Sequence, residues 1–312
     1  MHKPHLLMIG RYMPLEIDQL EDAYSVDWLF DADDRAKFLA EIGPRIRAVV
    51  TRGDLGADTA LMEALPNLEI VASFGVGFDA IDLSYARKHN IRVTNTPDVL
   101  TDDVADMGMA LLLAAARRIP TGDEHVRRGA WAKGPMPLTI RVSGKRLGVV
   151  GFGRVGRAVA RRAAGFDLAV SYCNPTRKDV PYPWHADVGA LAAEVDFLMI
   201  CAAGGPGTRG LIDAEVLEAL GPQGILVNIA RGAIVDEAAL LEALRSRRIA
   251  AAGLDVFHNE PVIDPAFAVL DNVVLQPHNA SGTRETRAAI GRLVRENLDA
   301  HFAGRALPTP VV

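Results

Sequence analysis

Two cysteines, Cys173 and Cys201, are all that the 312 residues contain. A disulfide framework is therefore excluded, and both are expected to be reduced, packed thiols. Long apolar runs are missing too. The longest, Met107 to Ala116, is bracketed by Asp106 and Arg117 and is too short to span a bilayer. Leu6–Ile9 is too short for a signal-peptide core, so a cytoplasmic protein with no membrane partner is expected. Positive charge is not in excess: 34 Lys and Arg against 39 Asp and Glu leave a net charge of −5. With no long basic patch, this argues against a nucleic-acid partner. The acidic residues between Glu16 and Asp34 read as a solvated face, and no metal ion is expected. What remains is an ordinary core-forming composition, 49% hydrophobic and 23% charged, at a length that suits two domains.

The centre of the chain carries Leu147-Gly148-Val149-Val150-Gly151-Phe152-Gly153-Arg154-Val155-Gly156. An apolar strand runs into G-x-G-x-x-G, and an Ala/Arg/Val helix follows. Gly151 permits the tight turn, Gly153 lets backbone amides approach a pyrophosphate, and Gly156 lets the helix sit close on the sheet. The helix expected from Arg154 to Gly165 aims its positive dipole end at the phosphates. The next strand, Leu168–Cys173, ends at Asn174-Pro175-Thr176-Arg177-Lys178. Sites for NAD place Asp or Glu there to hold the ribose hydroxyls. Here Asn174 stands instead, followed by a hydroxyl and two cations. A carboxylate would repel a 2′-phosphate, whereas Arg177 and Lys178 would attract it. The reading is NADP(H).

Strands and helices alternate along the chain, which predicts an α/β fold with parallel sheets. Two Rossmann-like lobes are expected. In residues 1–97, strands fall at Leu6–Ile9, Ala48–Val50, Ile70–Ser73 and Arg92–Thr94, with helices at Asp58–Leu65 and Leu83–Lys88. Residues 98–283 hold six strands: the fingerprint strand, then Ala169–Tyr172, Phe197–Cys201, Ile225–Ile229, Ala251–Leu254 and Val273–Leu275. Arg284 to Phe302 has helical periodicity, with Ile290, Val294, Asn297, Leu298 and His301 on one face. A helix arriving after a finished sheet is expected to return to the first lobe. That lobe is then discontinuous, 1–97 plus 284–312, completed by the C-terminal helix, with a cleft between the lobes. The helix 102–118 is apolar on most faces and must be buried on several sides, within the chain or against a twin subunit.

Polar groups follow three consecutive strands, at the carboxyl ends where α/β sheets bind ligands. Arg231 follows Val227-Asn228-Ile229-Ala230; a guanidinium there is costly unless an anion meets it. Asp255 and Glu260 follow Gly253-Leu254. His278 follows Val274-Leu275-Gln276-Pro277. In the first lobe, Ser73-Phe74-Gly75-Val76-Gly77 can turn amides towards an anion. Arg52 ends another strand nearby in sequence order and offers a second cation.

At these residues the chain resembles the D-2-hydroxyacid dehydrogenase family over essentially its full length. The motifs are Gly-x-Gly-x-x-Gly at 151–156, Asn228-Ile229-Ala230-Arg231-Gly232, Gly253-Leu254-Asp255-Val256-Phe257 with Glu260-Pro261, and Pro277-His278 with Ser281-Gly282-Thr283. Asn95 to Asp106 is similar to the family's interdomain crossing. With the ending Leu307-Pro308-Thr309-Pro310-Val311-Val312, it resembles the NADPH-dependent glyoxylate/hydroxypyruvate reductase branch, which includes hydroxyphenylpyruvate and 2-ketogluconate reductases. The resemblance implies that Arg231, Glu260 and His278 are catalytic, and that Val76 and Gly77 bind the substrate carboxylate alongside Arg231. Related chains often lack an arginine at position 52, so Arg52 is expected to recognise a feature particular to this substrate. Cofactor contacts implied are Thr101, Phe152, Gly153, Arg154, Val155, Asn174, Thr176, Arg177, Lys178, Ile229, Ala230, Asp255 and Ser281. Asp255 is expected to accept from the nicotinamide carboxamide. A homodimer through the 102–118 region is also implied.

The chemistry follows from the residue types. His278, charged, would protonate the ketone oxygen of a 2-oxo acid, with Glu260 on its other ring nitrogen favouring the charged imidazole. Arg231 would hold the carboxylate and polarise the ketone. The small residues Ala202 to Gly207 replace the bulkier Pro-Leu-Thr that the family usually places over the adenosine, which opens that wall. Phe74, Phe78, Met13, Trp131 and Met136 are expected to line the substrate pocket, whose length decides between small and long substrates. Outside the enzyme class, the alternative is an NADP(H)-sensing, corepressor-like binding protein.

Overall fold

The computed structural model describes residues 3–12 and 20–312. Met13 and the first part of the acidic run from Glu16 lie outside the described residues. The chain divides into two compact units, residues 1–100 with 281–312, and residues 101–280. The division falls three residues inside the second lobe expected from sequence, at each end. The reason is packing. Val99 and Leu100 lie against the apolar cluster of the first unit, and Thr286 Oγ1 donates to the Val99 carbonyl at 3.2 Å.

The first unit is built on a five-stranded parallel sheet: β1 (His5–Met8), β2 (Ser25–Trp28), β3 (Ile46–Arg52), β4 (Ile70–Phe74) and β5 (Arg92–Thr94). Their order is β2-β1-β3-β4-β5. β2 is not anticipated from sequence. Its Ser-Val-Asp-Trp is half-buried at every position, as an edge strand is, and so lacks an apolar run. β1, β3 and β4 are almost wholly buried because both faces are covered. One cover is the C-terminal helix Arg284–Phe302, whose Ile290, Val294 and Leu298 pack with Leu6, Met8, Ala48, Val50, Ile70, Ala72 and Phe74. The last residues then run beside β5: the amides of Val311 and Val312 donate to the Val93 carbonyl at 2.7 and 3.2 Å.

The second unit holds a seven-stranded parallel sheet: β6 (Arg146–Val150), β7 (Ala169–Cys173), β8 (Trp184–His185), β9 (Phe197–Ile200), β10 (Ile225–Asn228), β11 (Ala251–Leu254) and β12 (Val273–Leu275). The order is β12-β11-β10-β9-β6-β7-β8. The seventh strand, β8, is two residues long, too short to leave a sequence signal. The helix Thr101–Arg117 buries Val104, Ala105, Gly108, Met109, Leu111, Leu112, Ala115 and Ala116. Gly108 fits against Ile229 and Met199, where a Cβ would come within 2.9 Å of both. Most of the helix's apolar residues are thus buried within the chain, while Met107, Leu113 and Ala114 are half-buried and Ala110 is exposed. Exposed apolar side chains occur just beyond it, at Ile119, Val126, Trp131 and Leu138.

Aspartates start many helices. Asp34, Asp58, Asp82, Asp187, Asp213 and Asp236 each accept backbone amides from the first turn of the helix that follows. Part of the acidic excess is therefore spent on capping. Among the described residues no helix is long and apolar enough to cross a membrane, and no group of His, Cys, Asp and Glu is placed to hold a metal ion.

Both cysteines are free. Burial pushes the Cys173 thiol up, and the Cys201 thiol up to about 12. Because the thiolate is the reactive form, native protein at pH 8 is expected to take up iodoacetamide at neither cysteine on a timescale that alkylates both in urea. Mass spectrometry of the two samples checks this; rapid native labelling of Cys201 would contradict it.

Candidate active site

β10, β11 and β12 lie side by side and end together: Asn228 pairs with Leu254, and Leu254 with Leu275. Arg231, Asp255, Glu260 and His278 follow these three ends directly. The order along the chain therefore becomes adjacency in space.

His278 Nδ1 lies 2.5 Å from Glu260 Oε2. The other carboxylate oxygen, Oε1, accepts the Phe257 amide at 2.7 Å, so the carboxylate is held at both ends. The His278 side chain is 40% exposed and Glu260 22%. With Nδ1 facing Glu260, Nε2 is the nitrogen left to serve a substrate. His278 itself sits in the left-handed backbone region, φ 51°, where a non-glycine residue must be held.

Asp255 holds it. Its side chain has no accessible surface, and its two oxygens accept the amides of Asn279 and Ala280 at 2.8 and 3.0 Å. The His278 amide donates to the Asp255 carbonyl at 2.7 Å. Burial pushes the Asp255 carboxyl up, and the two amides oppose that shift. The carboxylate expected to face the cofactor thus already serves the backbone that presents the histidine.

Asn228, which sequence reasoning did not single out, does the same for Arg231. Its Nδ2 donates to the Arg231 carbonyl at 2.9 Å and its Oδ1 accepts the Ala230 amide at 3.0 Å. The signal was available: a fully buried asparagine ending an apolar strand must find partners for its amide. Gly232 then lies so close to the next loop that a Cβ would be 1.9 Å from the Phe257 carbonyl carbon. No other residue fits there without moving the Phe257–Glu260 segment.

The glycine-rich turn has its own geometry. Gly151 has φ 91°, and a Cβ on it would lie 2.5 Å from the Ala202 backbone. A Cβ on Gly156 would lie 2.3 Å from the Gly151 carbonyl oxygen, whereas at Gly153 nothing lies within 4 Å. Gly153 therefore borders open space, as a residue beside a bound pyrophosphate must. The helix Arg154–Ala163 starts at Gly153 with no side-chain cap, in contrast to the aspartate-capped helices. A helix start without a side-chain cap is the kind that can offer backbone amides to an anion. Phe152 is buried between Tyr172 and Tyr182, with ring centroids 4.4 and 5.4 Å away. Val155 is half-buried and Arg154 exposed.

At the end of β7, Asn174 Oδ1 accepts the Phe152 amide at 3.2 Å and its Nδ2 donates to the Thr176 carbonyl at 3.0 Å. Asn174 ties the glycine turn to the 174–178 loop. Tyr172 anchors the far side of that loop, accepting the Lys178 amide at 2.7 Å. Thr176 and Arg177 are exposed, and Lys178 is half-buried. Thr101 opens the helix Thr101–Arg117, and Ile229 and Ala230 are buried behind Arg231. Ser281 falls in the first unit.

In the first unit, Gly75 has φ 123° and its amide donates to Thr96 Oγ1 at 3.0 Å. The carbonyls of Val76 and Gly77 accept from Asn95 Nδ2 (2.8 Å) and Ser73 Oγ (2.9 Å), which pins the turn. Among the described residues no acceptor meets the amides of Val76 and Gly77. Arg52 ends β3 and forks onto Asp54, with Nε to Oδ1 at 3.1 Å and a terminal nitrogen to Oδ2 at 2.9 Å. Phe74 is buried and Phe78 half-buried, while Trp131 is 69% exposed.

Known proteins bear on this arrangement. A family model described as "D-isomer specific 2-hydroxyacid dehydrogenase, NAD binding domain" matches residues 109–280. The chain is 50% identical over 276 residues to a hydroxyphenylpyruvate reductase of Plectranthus scutellarioides, covering 88% of each. It is 45% identical to a 2-ketogluconate reductase of Gluconobacter oxydans, covering 99% of each. Among solved structures, an NADPH-dependent glyoxylate/hydroxypyruvate reductase of Sinorhizobium meliloti, in complex with NADP and malonate, matches with a TM-score of 0.93 at 38% identity. That match covers 99% of this chain and 97% of the other. From the α/β fold, the strand-end residues and these likenesses together, the chain belongs to the D-isomer specific 2-hydroxyacid dehydrogenase family of oxidoreductases.

Proposed function

We propose that the protein reduces a small 2-oxo acid, glyoxylate or hydroxypyruvate, to the D-2-hydroxy acid with NADPH. The observation that carries this is the His278–Glu260 pair at 2.5 Å, which joins the segments after β12 and β11, with β11 next to the strand that precedes Arg231. When bound, the cofactor supplies hydride. Protonated His278 donates from Nε2 to the substrate oxygen, and Glu260 accepts from Nδ1–H, fixing the ring and favouring its charged form. Arg231 binds the substrate carboxylate and polarises the ketone. In the first unit, the amides of Val76 and Gly77 serve as a further carboxylate anchor.

The residues around the glycine turn fit a dinucleotide. The open space at Gly153 and the uncapped amides after it would receive the pyrophosphate, with Phe152, Arg154 and Val155 beside it. Thr176, Arg177 and Lys178 would receive a 2′-phosphate, on a loop that Asn174 and Tyr172 keep in place. Thr101, Ile229, Ala230 and Ser281 complete the proposed contacts, and Asp255 contributes by holding the His278 loop.

The 2-ketogluconate and hydroxyphenylpyruvate reductases among the relatives support a second reading, in which the substrate is longer. An NADP(H)-sensing binding protein is the reading outside enzymology. NADPH oxidation with a panel of 2-oxo acids separates all three. Turnover is expected, with kcat falling by about 10²–10⁴-fold in His278→Ala while NADPH affinity changes little. No turnover with any acid despite tight NADPH binding would favour the sensor, and an intact kcat in His278→Ala would remove it as proton donor.

For the cofactor, kcat/KM is expected to favour NADPH over NADH. Paired replacement Arg177→Ala/Lys178→Ala should cost NADPH at least tenfold and leave NADH nearly unaffected. A wild-type preference for NADH would refute the assignment.

A homodimer in the cytoplasm is the proposed state. Ile119, Val126, Trp131 and Leu138 are the apolar residues it would cover, since the helix before them is buried internally. Light scattering is expected to give twice the chain mass, and Trp131→Glu with Leu138→Glu to shift it towards the monomer. A wild-type monomer at micromolar concentration would refute this.

A further inference from the structure

The carboxylate of Glu260 reaches His278 from a short, partly exposed segment. After β11 the chain runs to Phe257-His258-Asn259-Glu260, with Phe257 buried and both His258 and Asn259 exposed. Two successive amides of this segment each take a carboxylate oxygen. The Phe257 amide donates to Glu260 Oε1 at 2.7 Å, and the His258 amide donates to Glu237 Oε1 at 2.6 Å. The first bond lies within the segment and moves with it. The second reaches to a different element, 21 residues away in the chain.

That element is firmly placed. Glu237 is the first residue of the helix Glu237–Arg245, which Asp236 caps and which buries Leu240, Leu241, Ala243 and Leu244. The link before it is fixed too: the Asp236 amide donates to the Ile212 carbonyl at 2.9 Å, and the Ile212 amide to the Ile234 carbonyl at 3.0 Å. An acidic residue in a first turn is common, because the helix dipole favours it, and that role needs no particular partner. Here one oxygen goes instead to the amide next to the one that holds Glu260. A charged acceptor makes such a bond short and strong. Water could satisfy the exposed His258 amide, but could not fix where it lies.

We propose that Glu237 is a positioning residue: by gripping the His258 backbone it sets the place from which Glu260 pairs with His278. This rests on the His278–Glu260 pair being the proton-donating one. What Glu237 supplies is reach rather than charge.

The test varies reach and charge separately. Glu237→Gln keeps an oxygen at the same distance, whereas Glu237→Asp keeps the charge and is one methylene too short. Glu237→Asp is expected to lower kcat about tenfold with the KM for NADPH little changed, and Glu237→Gln to stay within about threefold of wild type. In a Glu260→Gln background Glu237→Asp should cost nothing further, since it acts through Glu260. Long-range 1H–15N spectra of the histidine rings at alkaline pH, assigned through His278→Ala, give a readout free of turnover. The His278 ring proton is expected at Nδ1 in wild type and Glu237→Gln, and shared between Nδ1 and Nε2 in Glu237→Asp. Glu237→Ala gives the same readouts should the aspartate variant fail to fold. A glutamine variant as impaired as the aspartate one, an aspartate variant in which either kcat or the ring signature stays at wild type, or additive losses in the double variant would overturn the proposal. An intact kcat in His278→Ala would instead strike the catalytic reading, and the ring signature would still decide this one.

Discussion

A buried carboxylate organises the second unit's reactive edge. Asp255 has no accessible surface and takes the amides of Asn279 and Ala280, one on each oxygen. Removing an ionised group from water is costly unless its lone pairs are satisfied, and here two backbone donors satisfy them. In return the backbone at His278 is fixed in a left-handed conformation that a histidine does not favour. The ring can then meet Glu260, itself tethered by the Phe257 amide. Loss of the Asp255 side chain would free the amides that keep His278 in place, so the position of the proposed proton donor depends on a residue that need not touch the substrate.

The same economy appears at Arg231. A buried asparagine, Asn228, ties the arginine's own carbonyl and the preceding amide, and Gly232 lets the next loop press against them. The side chains proposed as catalytic sit on short segments that follow parallel strands, and neighbouring polar groups hold the backbone of those segments. Such support leaves the working atoms exposed while their backbones are rigid. In the first unit the Gly75–Gly77 turn follows this pattern, with the Val76 and Gly77 carbonyls pinned by Asn95 and Ser73.

Much of this was legible in the sequence, because parallel strands buried on both faces read as apolar runs and the glycine fingerprint has a spacing set by sterics. The order Arg231, Glu260, His278 on successive strand ends could be read directly. What could not be read are properties of pairing and register. β2 and β8 are edge strands, half-buried or two residues long, and carry no run. The helix 101–117 is apolar on most faces whether its cover is its own chain or another, so composition alone could not say that Gly108 and its neighbours pack on Ile229 and Met199. Asn174 was read as a missing carboxylate. Its side chain instead braces the glycine turn, a job visible only once the two loops are seen side by side. Arg52 was read as a second cation, and its fork with Asp54 two residues on depends on a turn that closes at Gly56.

The first unit is assembled from both ends of the chain. Its sheet forms from residues within the first hundred, but the helix Arg284–Phe302 that covers Leu6, Met8, Val50 and Ala72 is made only after the second unit, and Val311 and Val312 close the edge at β5. During synthesis the second unit, contiguous from 101 to 280, has all its residues available before the first does. The N-terminal sheet must wait at the ribosome with one apolar face and one edge uncovered while some two hundred residues follow it. That interval is when a nascent chain of this architecture is most open to aggregation and most in need of a chaperone.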